Sequence, residues 1–148
     1  MLHEHDSVAN MNSTTVMMVD DNKDEIFLTR RKFRREGFAN RFYSQGDPTK
    51  IFDALKELEE LNVDTSNVII LLDVNMPKEN GFETLRKIRA HPKYSDMTVF
   101  MFSASDDEVD VLDGVEVGAD AYIVKPFTSE EFFAALSNAK GFKKMLLK

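Results

Sequence analysis

Five short apolar runs divide this chain, and each of them is followed by a stretch whose apolar residues recur at helical spacing. The runs cover residues 15–19, 41–44, 68–72, 99–102 and 121–124. Strict alternation of this kind predicts βα units that stack into one parallel sheet with helices on both faces. The third run, Val-Ile-Ile-Leu-Leu, is unbroken, which is typical of a central strand that is buried on both sides.

Each predicted helix has a stop signal or a cap of its own. Gly37 follows the first helix, Pro48 lies in the first turn of the second, and Asn80 precedes the third, which Pro92 ends. The fourth is predicted over 106–117, where Gly118 stops it, and the fifth over 129–140 with Thr128 or Ser129 as its cap. The expected inner faces are Ile26, Leu28, Thr29 and Phe33; Ile51, Phe52, Leu55, Leu58 and Leu61; Phe82, Leu85 and Ile88; Val109, Leu112 and Val115; and Phe132, Phe133 and Leu136.

The alternation leads to one fold class. With right-handed crossovers, five βα units give an α/β, doubly wound, five-stranded parallel sheet of the flavodoxin-like (βα)5 type. The expected strand order is 2-1-3-4-5, which places the first strand between the second and the third. The chain has 148 residues, room for one domain. We assign it to 14–142, with a flexible tail over 1–13 and a basic end over 143–148.

Composition removes several classes of function. The net charge of −7 offers no basic surface for a phosphate backbone, so direct nucleic-acid binding is not expected. The chain has no cysteine, which removes disulfides, thiolate metal sites and thiol nucleophiles. No apolar run approaches the length of a membrane span, and the polar start lacks the apolar stretch of a signal peptide. The expected location is cytoplasmic, away from membranes.

Chemically able side chains follow four of the five predicted strands. Asp20 and Asp21 come after the first, Asp73 after the third, Ser103 after the fourth and Lys125 after the fifth. In doubly wound sheets the carboxyl ends of the strands form the ligand-binding edge, so these groups should converge on one cleft. A solvated loop or a helix cap would explain any one of these positions equally well. Neither explains why such residues follow four of the five strands.

Three close carboxylates predict a cation. At an effective dielectric near 20, two such charges 4 Å apart repel by about 4 kcal/mol, a cost that a divalent ion removes. An all-oxygen site with open positions suits Mg²⁺, which commonly shares its ligands with a phosphate. Lys125 would add a positive charge and Ser103 a hydroxyl donor for phosphoryl oxygens. The cleft is therefore predicted to hold a phosphoryl group.

Taken together, these residues resemble the receiver domain of bacterial two-component response regulators, the family with the CheY fold. The similarity extends from about residue 15 to 140, and the spacings between Asp73, Ser103 and Lys125 fit it. Three features depart from the usual pattern: Ser103 stands where threonine is more frequent, the connection from Asp21 to Asp73 is longer than common, and the stretch Gln-Gly-Asp-Pro at 45–48 is unusual there. The resemblance rests on Asp20-Asp21, the stretch Leu-Leu-Asp-Val-Asn-Met-Pro at 71–77, Asn80-Gly81, Phe102-Ser103-Ala104, Gly-Ala-Asp-Ala-Tyr at 118–122, and Lys125-Pro126-Phe127.

The resemblance implies roles that spacing alone leaves open. It makes Asp73 the phosphoacceptor. It implies that Asp21, Asp73 and the backbone carbonyl of Asn75 hold Mg²⁺, with Asp20 helping through water. It also implies that Ser103 and Lys125 contact the phosphoryl group. Tyr122 would be the aromatic residue that switches with Ser103.

The same resemblance implies a function and a set of partners. A sensor histidine kinase or a histidine phosphotransfer protein would phosphorylate Asp73, and the face made by the fourth helix, fifth strand and fifth helix would change for a downstream protein. A phosphorylation-dependent homodimer also belongs to this expectation. The short stretch after Phe127 leaves an output domain unexpected, and the chain would be no enzyme beyond the chemistry of its own aspartyl phosphate.

Three other functions compete with this one. A haloacid-dehalogenase-type hydrolase needs Asp-x-Asp after the first strand, whereas Asp20 and Asp21 are contiguous. A flavin binder of the flavodoxin type needs a loop that cradles phosphate, which these two carboxylates would repel. A receiver-like interaction module that is never phosphorylated is the serious alternative, and an intact site argues against it.

Overall fold

The computed structural model describes residues 14–36, 41–104 and 108–138. Within these ranges five strands form one parallel sheet in the order β2-β1-β3-β4-β5, which confirms the predicted fold class and strand order. The predicted tail over 1–13, the stop at Gly37 and the basic end over 143–148 lie outside the described residues. The strands are β1 Thr15–Val19, β2 Arg41–Gln45, β3 Val68–Leu72, β4 Thr98–Ser103 and β5 Ala121–Val124.

Five α-helices connect and follow these strands. Short 3-10 turns at Pro48–Lys50 and Thr65–Asn67 precede the second of these helices and the third strand. Asn80 and Glu83 form a reciprocal capping box at the start of the third helix, and Thr128 and Glu131 do the same for the fifth. The helices are α1 Lys23–Arg35, α2 Ile51–Glu60, α3 Gly81–Ala90, α4 Glu108–Val117 and α5 Ser129–Asn138.

Two apolar cores lie on opposite faces of the sheet. Alternate strand residues such as Met17, Ile70 and Met101 pack with α2 and α3, and the tyrosine of β5 packs against this core. The other strand residues pack with α1 and α5. All five residues of β3 are fully buried, so the unbroken apolar run is the central strand that the sequence predicts.

The inner faces of four helices differ in part from the prediction. Leu28 of α1 is exposed, whereas Thr29 and Phe33 are buried as predicted. Leu61 is exposed because it lies at the C-cap, just after α2 ends at Glu60. Phe133 is likewise exposed on α5, where Phe132 and Leu136 are buried.

The largest difference is in α4. Leu112 and Val115 are 58% and 66% exposed, so these two members of the predicted stripe do not face the core, and the side chain of the third, Val109, lies outside the described residues. Among the α4 residues whose burial is described, Gly114 is the buried one, and a Cβ built on it would lie 3.4 Å from side-chain atoms of both Met101 and Tyr122. The helix packs on the sheet through this glycine, with Val117 against the same core, while Leu112 and Val115 face outward.

At the amino-terminal edge of the sheet, the Arg89 guanidinium joins three segments. It donates to the carbonyl oxygens of Ser95, Met97 and Gly118, and it pairs with Asp120 at 3.0 Å. Asp120 also accepts the backbone N–H of the β4 residue Val99. The edge opposite the predicted site is thereby fixed by one side chain from α3.

Among the described residues, no helix combines the length and apolarity needed to cross a bilayer.

Candidate functional site

Three carboxylates meet at the carboxyl edge of the sheet. β1 and β3 are neighbours with Val19 opposite Leu72, so Asp20 and Asp73, the residues that follow them, are adjacent. The backbone N–H of Asp73 donates to the carbonyl of Val19 at 3.1 Å. One carboxylate oxygen each from Asp20, Asp21 and Asp73 lies within 4.8 Å of the other two. The convergence that the sequence predicts is present in the fold.

The Asp73 carboxylate is held in an unfavourable environment for a charge. Burial raises its pKa from 3.8 to about 6, and the negative charge of Asp20 adds to that increase. Lys125 and the backbone N–H groups of Asn75 and Val74 oppose the increase without cancelling it. The side chain of Asp20 is 1% exposed, so water cannot screen this repulsion well. A hard divalent cation suits three such oxygen donors, and Mg²⁺ fits the site on these grounds.

Asp20 is fixed through both carboxylate oxygens. Oδ1 accepts the backbone N–H of Asn22 at 2.9 Å, and Oδ2 lies 3.3 Å from the Nζ of Lys125. The side chain of Asn22 in turn caps α1 by accepting the N–H groups of Asp24 and Glu25. The turn between β1 and α1 therefore orients the Asp20 carboxylate and also caps the first turn of the helix.

Lys125 lies between two carboxylates. Its Nζ is 3.3 Å from Asp20 and 3.4 Å from Oε2 of Glu25, and it stands 5.1 Å above the centre of the Phe102 ring. Glu25, in the first turn of α1, was missed by the sequence reasoning. Its position four residues after Asp21, on the helix that leaves the same sheet edge, was the available signal.

Ser103 and Tyr122 lie on the adjacent strands β4 and β5. Ser103 is fully buried, and its carbonyl accepts the backbone N–H of Lys125 at 2.8 Å, which joins the backbones of the two residues where β4 and β5 end. Tyr122 is opposite Met101 in the register, and Met101 and Ser103 are two residues apart, so all three are on one face of the sheet. Tyr122 is partly buried.

Asn75 and Gly81 delimit the loop after β3. Asn75 is exposed, and the backbone N–H of Gly81 closes the loop by donating to the Val74 carbonyl at 2.8 Å. A Cβ on Gly81 would lie 2.2 Å from the carbonyl oxygen of Asp73. Only glycine allows α3 to begin this close to the backbone of Asp73.

Comparison with known proteins identifies the family. The family model described as "Response regulator receiver domain" matches residues 16–137, a span that includes every residue of the site described above. The chain belongs to the response regulator receiver family.

The receiver has curated relatives at moderate identity. It is 36% identical over 125 residues to the transcriptional regulatory protein GltR of Pseudomonas aeruginosa, an alignment that covers 84% of this chain and 48% of GltR. It is 34% identical over 128 residues to YvrH of Bacillus subtilis, also a transcriptional regulatory protein, covering 85% of this chain and 48% of YvrH. The receiver thus spans about half the length of these relatives.

Solved structures show the same fold. The chemotaxis protein CheY4 of Vibrio cholerae superimposes with a TM-score of 0.65 at 25% identity, covering 85% of this receiver and 98% of that chain. The bacteriophytochrome response regulator RtBRR gives a TM-score of 0.69 at 26% identity, covering 90% and 89%. The CheY-like fold expected from the sequence is confirmed.

Proposed function

We propose that this receiver is a phosphorylation-controlled switch of a two-component system and that Asp73 is its phosphoacceptor. The observation that carries the proposal is the meeting of three carboxylates and a largely buried lysine at one sheet edge. Membership of the receiver family supports a sensor histidine kinase or a histidine phosphotransfer protein as the phosphodonor.

The residues proposed to hold Mg²⁺ are Asp21, Asp73 and the backbone carbonyl of Asn75, with Asp20 acting through a water molecule. The raised pKa of Asp73 supports this assignment, because a bound cation would relieve the repulsion from Asp20. When bound, the ion supplies positive charge that neutralises the carboxylates and the equatorial phosphoryl oxygens.

The proposed reaction is an in-line transfer to Asp73. A carboxylate oxygen of Asp73 forms a bond to phosphorus as the bond from phosphorus to the donor's imidazole nitrogen, or to an acyl oxygen, breaks. The Lys125 ammonium and the Ser103 hydroxyl donate to phosphoryl oxygens, so the chain contributes position and charge rather than further covalent chemistry. The released group takes the bonding electrons: a phosphohistidine whose other ring nitrogen carries a proton releases neutral imidazole, and an acyl phosphate releases a carboxylate.

The proposed output is a change at the face made by α4, β5 and α5. Phosphorylation adds charge and strong acceptor oxygens at Asp73, toward which Ser103 would move. Tyr122 lies on the same face of the sheet and would turn into the space released, which shifts the population of the surrounding surface. A downstream protein that binds one of the two states better would read the change.

Labelling by acetyl phosphate tests the phosphoacceptor. With Mg²⁺ present, intact-mass spectrometry should show a single phosphoryl adduct on the wild type. EDTA should remove it, and so should Asp73→Asn, because the amide is no nucleophile. Asp96→Asn, at an exposed carboxylate of the other sheet edge, is the matched control and should label normally. Persistent labelling of Asp73→Asn would sink the assignment.

Substitution of Tyr122 should separate phosphorylation from its output. Tyr122→Ala is expected to take label at a rate within about twofold of wild type, because the ring belongs to the core face and is not among the groups proposed to contact the phosphoryl oxygens. Chemical-shift changes on beryllofluoride binding should then shrink for α4 and β5. A Tyr122→Ala protein that cannot be labelled would contradict the assigned switch role.

A further inference from the structure

The pairing of Lys125 with Glu25 points to a second control on this site, and the inference rests on the phosphotransfer function proposed above. Lys125 makes ion pairs with Asp20 and with Glu25, and none of its ion pairs within the described ranges is with Asp73. The lysine therefore has two carboxylate partners before any phosphoryl group arrives.

The two partners differ in their surroundings. The Asp20 side chain is 1% exposed and is tied to the backbone of Asn22, so it is part of the fixed site. The Glu25 side chain is 39% exposed and approaches the lysine from the solvent side, from the first turn of α1. Lys125 itself is only 13% exposed, and the Phe102 ring lies beneath its Nζ. Glu25 is thus the partner of Lys125 that can change without rebuilding the site.

Two effects of Glu25 oppose phosphoryl binding. A phosphoryl group on Asp73 must draw the ammonium of Lys125 toward its own oxygens, away from Glu25. It also brings added negative charge toward the Glu25 carboxylate, and like charges repel across a partly solvated site. Both effects vanish when the glutamate is replaced by its neutral isostere.

We propose that Glu25 is a positioning residue that keeps Lys125 in an ion pair in the unphosphorylated receiver and thereby weakens the site's affinity for a phosphoryl group. Glu25 would affect the reacting atoms indirectly, through its ion pair with Lys125. Its expected effect is on phosphoryl affinity and on the lifetime of the phosphorylated state, and the Mg²⁺ affinity should change little, since the glutamate is outside the carboxylate cluster.

Beryllofluoride, which stands in for the phosphoryl group, provides the test. With Mg²⁺ in excess, fluorine NMR titrations should show that Glu25→Gln binds it about fivefold more tightly than wild type, the scale of an ion pair with one partner partly in water. Asp24→Asn is the matched control, since it removes the same charge from the same helical turn at an exposed side chain. It should bind within about twofold of wild type.

A double-mutant cycle with Lys125→Gln distinguishes positioning from a structural role. If Glu25 acts through the lysine, its substitution in the Lys125→Gln background should give no more gain than Asp24→Asn does. A gain that persists without the lysine, or a Glu25→Gln protein indistinguishable from Asp24→Asn, would overturn the inference while leaving the phosphotransfer function intact. A wild-type chain that binds no beryllofluoride and takes no label would overturn both.

Discussion

At pH 7 and without Mg²⁺, Asp73→Asn should raise the free energy of unfolding by about 2 kcal/mol. Burial and the charge of Asp20 raise the pKa of Asp73 to about 6, so the ionised carboxylate destabilises the native state relative to the unfolded chain. The neutral amide has nearly the same shape and removes that cost. Urea denaturation of both proteins measures the difference, and excess Mg²⁺ should stabilise the wild type much more than the variant.

The pH dependence of this gain has a definite sign. A carboxyl group whose pKa is higher in the folded protein binds its proton more tightly there, so its contribution to stability falls as pH rises from about 4 to above 6. The advantage of Asp73→Asn should therefore be small near pH 4 and complete above pH 7. Asp96→Asn, at an exposed carboxylate, should show no such profile. An advantage that stays constant from pH 4 to 8 would rule out the raised pKa as its cause.

Gly81→Ala should destabilise the receiver by about 3 kcal/mol and disturb the acidic cleft as well. The added Cβ would lie 2.2 Å from the carbonyl oxygen of Asp73 and 2.9 Å from the Met101 side chain. The methionine can move, whereas the Asp73 backbone is held by the Val19 carbonyl and by the Gly81 N–H bond to Val74. Relief of the clash must therefore shift the start of α3 or the loop that follows β3.

Gly46→Ala is the matched control for this substitution. A Cβ at Gly46 would meet its nearest neighbour, the carbonyl oxygen of Asp20, at an ordinary 3.9 Å. The free energy of unfolding of this variant should lie within about 0.5 kcal/mol of the wild-type value. Urea denaturation gives the stabilities, and Mg²⁺ titration by NMR reports on the cleft. If Gly81→Ala is as stable as Gly46→Ala and binds Mg²⁺ equally well, α3 and Asp73 are not packed as described.

Much of the fold was accessible from the sequence because the relevant signals are local and periodic. The unbroken apolar run at 68–72 requires burial on both faces, and caps such as Asn80 with Glu83 mark helix starts within a few residues. The inner face of α4 was not accessible. Its apolar side chains are regularly spaced, but Gly114 allows a closer approach to Met101 and Tyr122 than any larger residue would, and that preference depends on the opposing strands.

Part of the site was also predictable from the sequence, because strand topology determines which residues share a sheet edge. Residues directly after parallel strands must share one sheet edge, so the convergence of Asp20, Asp21 and Asp73 followed from the topology. Contacts between a helix and a loop do not follow from the topology. The approach of Glu25 to Lys125 depends on how α1 leaves the sheet, and the fit of Gly81 against Asp73 depends on a backbone distance that no spacing rule supplies.

The contacts of the Arg89 guanidinium hold the first residues of β4 and β5 more firmly than the last. Its bonds to Ser95, Met97 and Gly118, with the ion pair to Asp120, fasten the entry of β4 and β5, whereas their exits carry Ser103 and Lys125. Local opening should therefore cost least at the exits and most at the entries, a gradient that amide hydrogen exchange resolves. If Asp73 is the phosphoacceptor proposed above, its phosphorylation should change the exchange of amides at the exits and leave that at the entries near Arg89 unchanged.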